Sequence, residues 1–160
     1  MGLFGGPSEY TRAAYLVPRE VVLITGEHEG DEALWPVDLH MPVALEPPFY
    51  ALSCRTEAFG ARVVLASGVF VVNFMPASEE TKVIEAGALS GAGAAKRARL
   101  GLAVSPARFV RAPRLDAADG WIEAEVHEVR RFGDRSLIVG RVVHAETRPR
   151  GARTFHEWRR

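Results

Sequence analysis

Residues 121–129 read Trp-Ile-Glu-Ala-Glu-Val-His-Glu-Val, with Ile122, Ala124 and Val126 alternating against Glu123, Glu125 and His127. Successive side chains of a strand point to opposite faces, so this period of two specifies a strand with one apolar and one wet face. Gly133-Asp134 follows, and then a second strand-like run over 136–145. A short glycine-containing break between two such runs predicts a β-hairpin. Shorter strands are predicted upstream. Pro18 precedes Val21-Val22-Leu23-Ile24-Thr25, which Gly26 bounds; residues 27–32 are acidic and turn-like. Runs at 41–45 and 49–54 are separated by Pro47-Pro48, a pair that cannot donate to a ladder and so marks a strand entrance or an edge. The continuous apolar run 69–74 suits a strand covered on both faces. Residues 61–66 stay open: Val63-Val64 favours a strand, whereas Gly68 is placed to cap a short helix. Ser78 is expected to cap a helix with Glu79 and Glu80 in its first turn, ending near Gly87. Many strands, few helices and no βαβ rhythm predict a mainly β fold, an antiparallel barrel closed or nearly closed.

The 160 residues, 48% hydrophobic and 25% charged, describe one soluble globular domain able to bury about two-thirds of its unfolded surface. The expected organisation is an N-terminal arm over 1–17, one domain over 18–146 and an Arg-rich tail over 147–160. Lys plus Arg and Asp plus Glu number 20 each, so no net field draws the molecule to nucleic acid or an acidic membrane. Cys54 is the single cysteine, which rules out an intramolecular disulfide framework and suits a reducing compartment. No run approaches the roughly 20 apolar residues of a membrane helix, and the start lacks a basic segment and long apolar core, so a cytoplasmic location is expected. The five histidines are scattered without metal-ligand spacing, so no metal is expected. Nothing resembles a nucleophile elbow. Glu123, Glu125 and Glu128 are expected on an exposed strand face, with His127 solvated beside them.

Four groups of residues can carry chemistry. In Ser90-Gly91-Ala92-Gly93-Ala94-Ala95-Lys96, glycines would let amides approach an anion, with a hydroxyl and an ammonium completing a phosphate site; the alternative is a flexible surface loop. Ser53, Arg55 and Thr56 at a strand end suit a ribityl chain or a phosphate, against a plain surface arginine near a turn; Cys54 between them reads as a small buried hydrophobe. Trp35, Pro36, Val37, Asp38, Leu39 and His40 form a segment whose backbone groups can bond a planar ring, with Trp35 either in the core or stacked on that ring. The hairpin tip places Arg135 where a guanidinium either holds a phosphate or sits in water. Asn73 ends the buried strand.

In this order, Glu46-Pro47-Pro48, Ser53-Cys54-Arg55-Thr56, Phe70-Val71-Val72-Asn73 and Gly87-Ala88-Leu89-Ser90-Gly91 with Lys96, the elements resemble the flavin reductase-like, FMN-binding split-barrel family to which flavoredoxin belongs. The resemblance spans roughly 18–145 and decides for a helix at 61–66. It implies an antiparallel Greek-key barrel binding FMN, with FAD as an alternative, at a site including Trp35, Pro36, Val37, Asp38, Leu39, His40, Ser53, Cys54, Arg55, Thr56, Asn73, Ser90, Gly91 and Lys96. It further implies NAD(P)H as co-substrate, hydride transfer to the flavin without a catalytic side chain, a homodimer with sites at the interface, and a redox partner protein. Departures are clear: Ala86 replaces a Cys, Arg97 a Phe, Ala33 an Asn, Pro36 a Thr and Asp38 a Ser, and Arg135 stands where Gly-Asp-His is usual. Arg135 in place of the His and the altered segment 33–41 favour a second expectation, a flavoredoxin-type electron carrier without its own nicotinamide site. Phe155 and Trp158 in the tail are expected to cover the neighbouring site or seal the dimer.

Overall fold

The hairpin forms as the spacing requires: Gly120–Phe132 (β8) and Arg135–Thr147 (β9) pair antiparallel, with Phe132 opposite Arg135 and Gly133 at φ 59° between them. That positive φ is why a glycine opens the two-residue turn. The structure is a computed structural model describing residues 9–14, 16 and 19–148. Most of the expected arm, and the tail with Phe155 and Trp158, lie outside the described residues; within the arm, Glu9–Ala14 (α1) is helical and buries nothing.

The remaining strands are Val22–His28 (β1), Asp31–Val37 (β2), His40–Leu45 (β3), Pro48–Arg55 (β4), Val69–Phe74 (β5), Val104–Pro106 (β6) and Pro113–Leu115 (β7). The helices are Phe59–Ser67 (α2), Glu80–Ala88 (α3) and Gly93–Leu100 (α4), with a 3-10 turn at Ala77–Glu79. Seven strands form one antiparallel sheet in the order β2-β1-β5-β8-β9-β4-β3, and β6 pairs with β7 in a separate ribbon. β2 and β3 are consecutive in the chain yet are the two outer strands of this sheet. A twisted sheet must curl for its outer strands to be joined by the two-residue link 38–39. The barrel is therefore split between β2 and β3, where the Ser53 amide of β4 donates to the Leu39 carbonyl at 2.8 Å. The fold is the expected mainly β, antiparallel split barrel. Pro36 and Pro42 sit within these outer strands, where a missing donor costs no ladder bond.

Alternation along β1 and β5 divides the apolar side chains between two cores. Val22, Ile24, Phe70 and Val72 face the barrel interior with Leu52, Ala124, Ile138 and, from α2, Ala61 and Val64. Leu23 and Val71 face outward into a second core with Val83 of α3, Leu100 of α4, Leu115 and Trp121. The run 69–74 is accordingly covered on both faces, as expected. The helix reading of 61–66 also holds: Gly68, at φ 73°, caps α2 and donates to the Val64 carbonyl at 2.8 Å.

Other readings need correction. Residues 27–32 are mostly strand, because β1 and β2 run on until only Glu29 (φ 48°) and Gly30 (φ 90°) turn. Ser78 gives no side-chain cap; its residues form the 3-10 turn, and α3 starts after it at Glu80. The wet face of β8 is not wet at Glu123, which is 0% exposed. Glu123 pairs with His144 while Ala124 pairs with Val142, so the register slips by one and both side chains are buried. The stretch 102–118 folds over that face, and the Glu123 carboxylate accepts the amides of Arg108 (2.9 Å), Phe109 (2.7 Å) and Val110 (3.3 Å). Arg114 completes its environment at 3.6 Å and stacks on Trp121, 3.9 Å from guanidinium carbon to ring centroid. His127, the unpaired residue of the second register slip, is exposed as expected, tilted against Phe49.

Candidate functional site at the split of the barrel

A cavity of about 320 Å³ opens beside the split. Its walls are the end of β2 (Trp35, Pro36, Val37) with Asp38, the end of β4 (Ser53, Cys54, Arg55), Ala58, Ala86 and Gly87 of α3, Lys96 of α4 and Arg135 at the start of β9. Nine of the residues singled out in the sequence are thus brought together: Trp35, Pro36, Val37, Asp38, Ser53, Cys54, Arg55, Lys96 and Arg135. Six are not in the wall: Leu39, His40, Thr56, Asn73, Ser90 and Gly91. Ala58 was missed, and Ala86 and Gly87, although they belong to the motif that carries the resemblance, were not counted among the site residues; apolar side chains and a glycine give no chemical signal of their own.

Each outlying residue has a clear place. His40 bonds the Tyr50 hydroxyl at 2.7 Å and the Glu20 carbonyl at 2.8 Å. Burial, and secondarily Glu20, pushes the Tyr50 phenol well above its ordinary pKa. Thr56 and Ser136 hydroxyls meet at 3.0 Å. Asn73 is fully buried; its amide donates to the Leu23 carbonyl and to Thr25 Oγ1, and its oxygen accepts the Leu115 amide at 2.8 Å. Its observed partners tie β1, β5 and β7 together. Ser90 and Gly91 are exposed on the link between α3 and α4, with Gly91 at φ 95°.

The glycine-rich loop is shorter than its sequence suggests, because residues 93–100 form α4. Gly93 lies flush on β2: a Cβ there would sit 2.6 Å from the Glu32 carbonyl oxygen and 2.7 Å from the Leu34 amide nitrogen. Its glycine serves helix–strand packing. Arg97 then anchors the helix to the same strand, donating to both carboxylate oxygens of Glu32 at 2.8 and 3.1 Å; that bond raises its pKa further. The result places Lys96 at the cavity. Its ammonium is buried, donates to the Leu34 carbonyl at 3.3 Å and the Ala86 carbonyl at 3.5 Å, and has no carboxylate partner among the described residues. Burial pulls its pKa down.

Trp35 packs on Gly60 of α2, where a Cβ would come within 2.1 Å of the indole. It borders the cavity, and its Nε1 is buried without an acceptor among the described residues. Across the cavity, the Arg55 guanidinium has no hydrogen-bond or ion-pair partner among the described residues, and Arg135 reaches only the Ser53 carbonyl, at 3.4 Å. Asp38, the one acid in the wall, pairs with neither. Burial raises the Cys54 thiol pKa and the Arg135 charge partly opposes it; no observation marks Cys54 as activated. The donor set is rich in unmatched cations and N–H groups, and so fits a ligand with an anionic tail and acceptor atoms.

The family model described as "Flavin reductase like domain" matches residues 14–159, and the chain belongs to that family. An uncharacterized protein of Archaeoglobus fulgidus is 28% identical over 131 residues, covering 81% of this chain and 73% of its own. Among solved structures, an FMN-binding protein from Thermus thermophilus superposes with TM-score 0.75 at 23% identity, over 88% of this chain and 75% of that one. Flavoredoxin of Desulfovibrio vulgaris gives 0.77 at 19%, over 93% and 78%. The NADH:FAD oxidoreductase SgcE6 of Streptomyces globisporus gives 0.78 at 18%, over 89% and 86%. These likenesses extend the agreement in fold.

Proposed function

We propose that this protein holds FMN in the cavity at the split and acts as a flavin reductase-like oxidoreductase using NAD(P)H. The observation that carries the reading is the surplus of donors around the cavity: among the described residues Lys96, Arg55 and Arg135 have no carboxylate partner and the buried Trp35 Nε1 has no acceptor. When bound, flavin supplies a ring that accepts a hydride from the reduced nicotinamide. The chain's own work is positioning and exclusion of water. Lys96 would hold an anionic or acceptor group of the flavin, Trp35 would border its ring, and backbone groups near Val37 and Asp38 would hydrogen-bond its polar edge. No side chain need act as nucleophile or general base. FAD is the alternative occupant.

A flavoredoxin-type carrier that passes electrons to a partner protein is the second reading, favoured by Asp38 and Arg135 in the wall where the family has a neutral hydroxyl and an imidazole. We also propose a homodimer and a cytoplasmic location, the latter from the lone thiol of Cys54. Titration of purified protein with FMN is expected to give a saturable, shifted flavin spectrum. Anaerobic addition of NADH or NADPH then bleaches the flavin absorbance if the protein is a reductase, and leaves it unchanged if it is a carrier. Failure to take up FMN or FAD sinks both.

A further inference from the structure

The two outer strands of the curled sheet meet at the link 38–39, and the width of the split beside it is set by what ties them there. One tie is a backbone bond, from the Ser53 amide to the Leu39 carbonyl. A second comes from the side chain of His40, the first residue of β3. Its ring lies over that of Tyr50 in β4, with centroids 5.9 Å apart and planes inclined by 23°. Nδ1 meets the Tyr50 hydroxyl at 2.7 Å and Nε2 meets the Glu20 carbonyl at 2.8 Å. Glu20 leads into β1, the strand paired with β2, whereas Tyr50 belongs to β4, the strand paired with β3. One imidazole therefore bonds to both sides of the split.

The atoms fix how these bonds run. A carbonyl oxygen only accepts, so Nε2 carries a proton and donates to Glu20. In the neutral ring Nδ1 then holds a lone pair and accepts from the Tyr50 hydroxyl. Tyr50 is buried, and this bond gives its O–H an acceptor. Both ring nitrogens are thus committed within the fold, and neither is left for a ligand. The residues that do line the cavity stand next to the cross-link. Val37 and Asp38 precede His40 in the chain, and Ser53 follows Leu52, the cross-strand partner of His40.

We infer that His40 is a positioning residue, a staple across the split that fixes the distance between the Val37–Asp38 wall and the Ser53 wall, and with it the rate at which a ligand leaves the cavity. The bond to Glu20 does the stapling, and the bond to Tyr50 orients the ring. Loss of the first lets the link 38–39 part from β4, while the central β5–β8 pairing, which includes none of these residues, stays closed. The staple itself is a property of the folded chain; its effect on ligand release rests on the flavin reading given above.

Asparagine and glutamine separate the two bonds. In His40→Asn the side-chain oxygen falls near the place of Nδ1 and keeps an acceptor for Tyr50; in His40→Gln the amide nitrogen reaches the place of Nε2 and keeps a donor for Glu20. Hydrogen exchange of the full chain without flavin, followed by NMR, reads the split at the Ser53 amide. Val72, between β1 and β8 in the middle of the sheet, is the internal reference. His40→Asn is expected to speed Ser53 exchange about tenfold, the worth of one hydrogen bond, with Val72 unchanged. His40→Gln is expected to restore the parent's slow exchange. A histidine that served only overall stability would speed both amides together, and that result overturns the staple. So does exchange at Ser53 that is the same in the Asn and Gln variants. Release of bound FMN on dilution is the second arm: it should quicken about tenfold in His40→Asn and recover in His40→Gln. Faster Ser53 exchange with unchanged FMN release removes the positioning role. If Ser53 exchange separates the two variants while no flavin binds, the staple stands and the flavin reading falls.

Discussion

Lys96 shows how one side chain can be identified from sequence while its situation cannot. Its place after Ser90 and Gly91 marked it as a cation for an anionic ligand, but its burial and its two carbonyl partners follow from α4 lying on β2. A buried ammonium without a carboxylate costs stability while it is charged. Because its pKa is lowered in the fold, the unfolded chain holds the proton to higher pH. Stability attributable to this group is therefore lowest below the depressed folded pKa, and rises as pH climbs from there towards the ordinary lysine value of about 10.4. Lys96→Met should thus raise or leave unchanged the Tm at pH 7, and its advantage over the parent should shrink as pH approaches 10. The same substitution should weaken FMN by about tenfold to a hundredfold, the loss of one charge-assisted hydrogen bond. A Met variant that binds FMN normally, or whose Tm advantage grows with pH, contradicts this account. Glu123 is the opposite case. Its alternation pattern pointed to solvent, and a register slip together with the 102–118 excursion turned it into an acceptor for three amides.

At the scale of elements, the useful lesson is what glycine was for. The run 90–96 suggested amides approaching an anion, but at Gly93 the close approach is to the backbone of β2. Gly93→Ala would force α4 away from the strand, since the added carbon meets backbone atoms that cannot rotate aside. A cost of about 1–3 kcal/mol is expected from such overpacking, read by chemical denaturation. Because Lys96 lies one turn further along α4, FMN affinity should fall with it; a variant of unchanged stability and affinity would show that the helix contact is slack. The hairpin and the strand 69–74 were legible because their determinants are local, period and turn chemistry, whereas local signals left 61–66 open and the family resemblance decided for the helix that Gly68 caps. β2 was harder. Its run from Asp31 to Val37 mixes an acidic start with Trp35-Pro36, and Pro36 reads against a central strand. Its position at the sheet's outer edge resolves that conflict.

For the molecule as a whole, β3 is the unresolved surface. Met41, Val43 and Leu45 are 58%, 51% and 84% exposed on an outer strand, an arrangement that invites pairing with another chain unless covered. A second copy of this chain is the proposed cover. Sedimentation equilibrium should return twice the 17.5 kDa chain mass, and a Met41→Asp, Val43→Asp double variant should sediment as a folded monomer. A monomeric parent protein would remove the homodimer from the proposal. Among the described residues no helix is long and apolar enough to cross a membrane.

Local patterning in the chain was sufficient for β1, β3, β4, β5, β8 and β9, the hairpin turn and the ordered series of motifs that places it in a flavin reductase-like family, because each depends on residues a few positions apart. The cavity depended on distant residues meeting. Trp35, Arg55, Lys96 and Arg135 come together only once the sheet has curled, α4 has seated on Gly93 and β4 has paired with β9. Whether a polar group is buried, paired or left wanting a partner is set by that curvature and by slips in register. Neither is encoded in the spacing of residues along one strand, and so Glu123 turned inward while Arg55 and Arg135 were left facing each other across an open site.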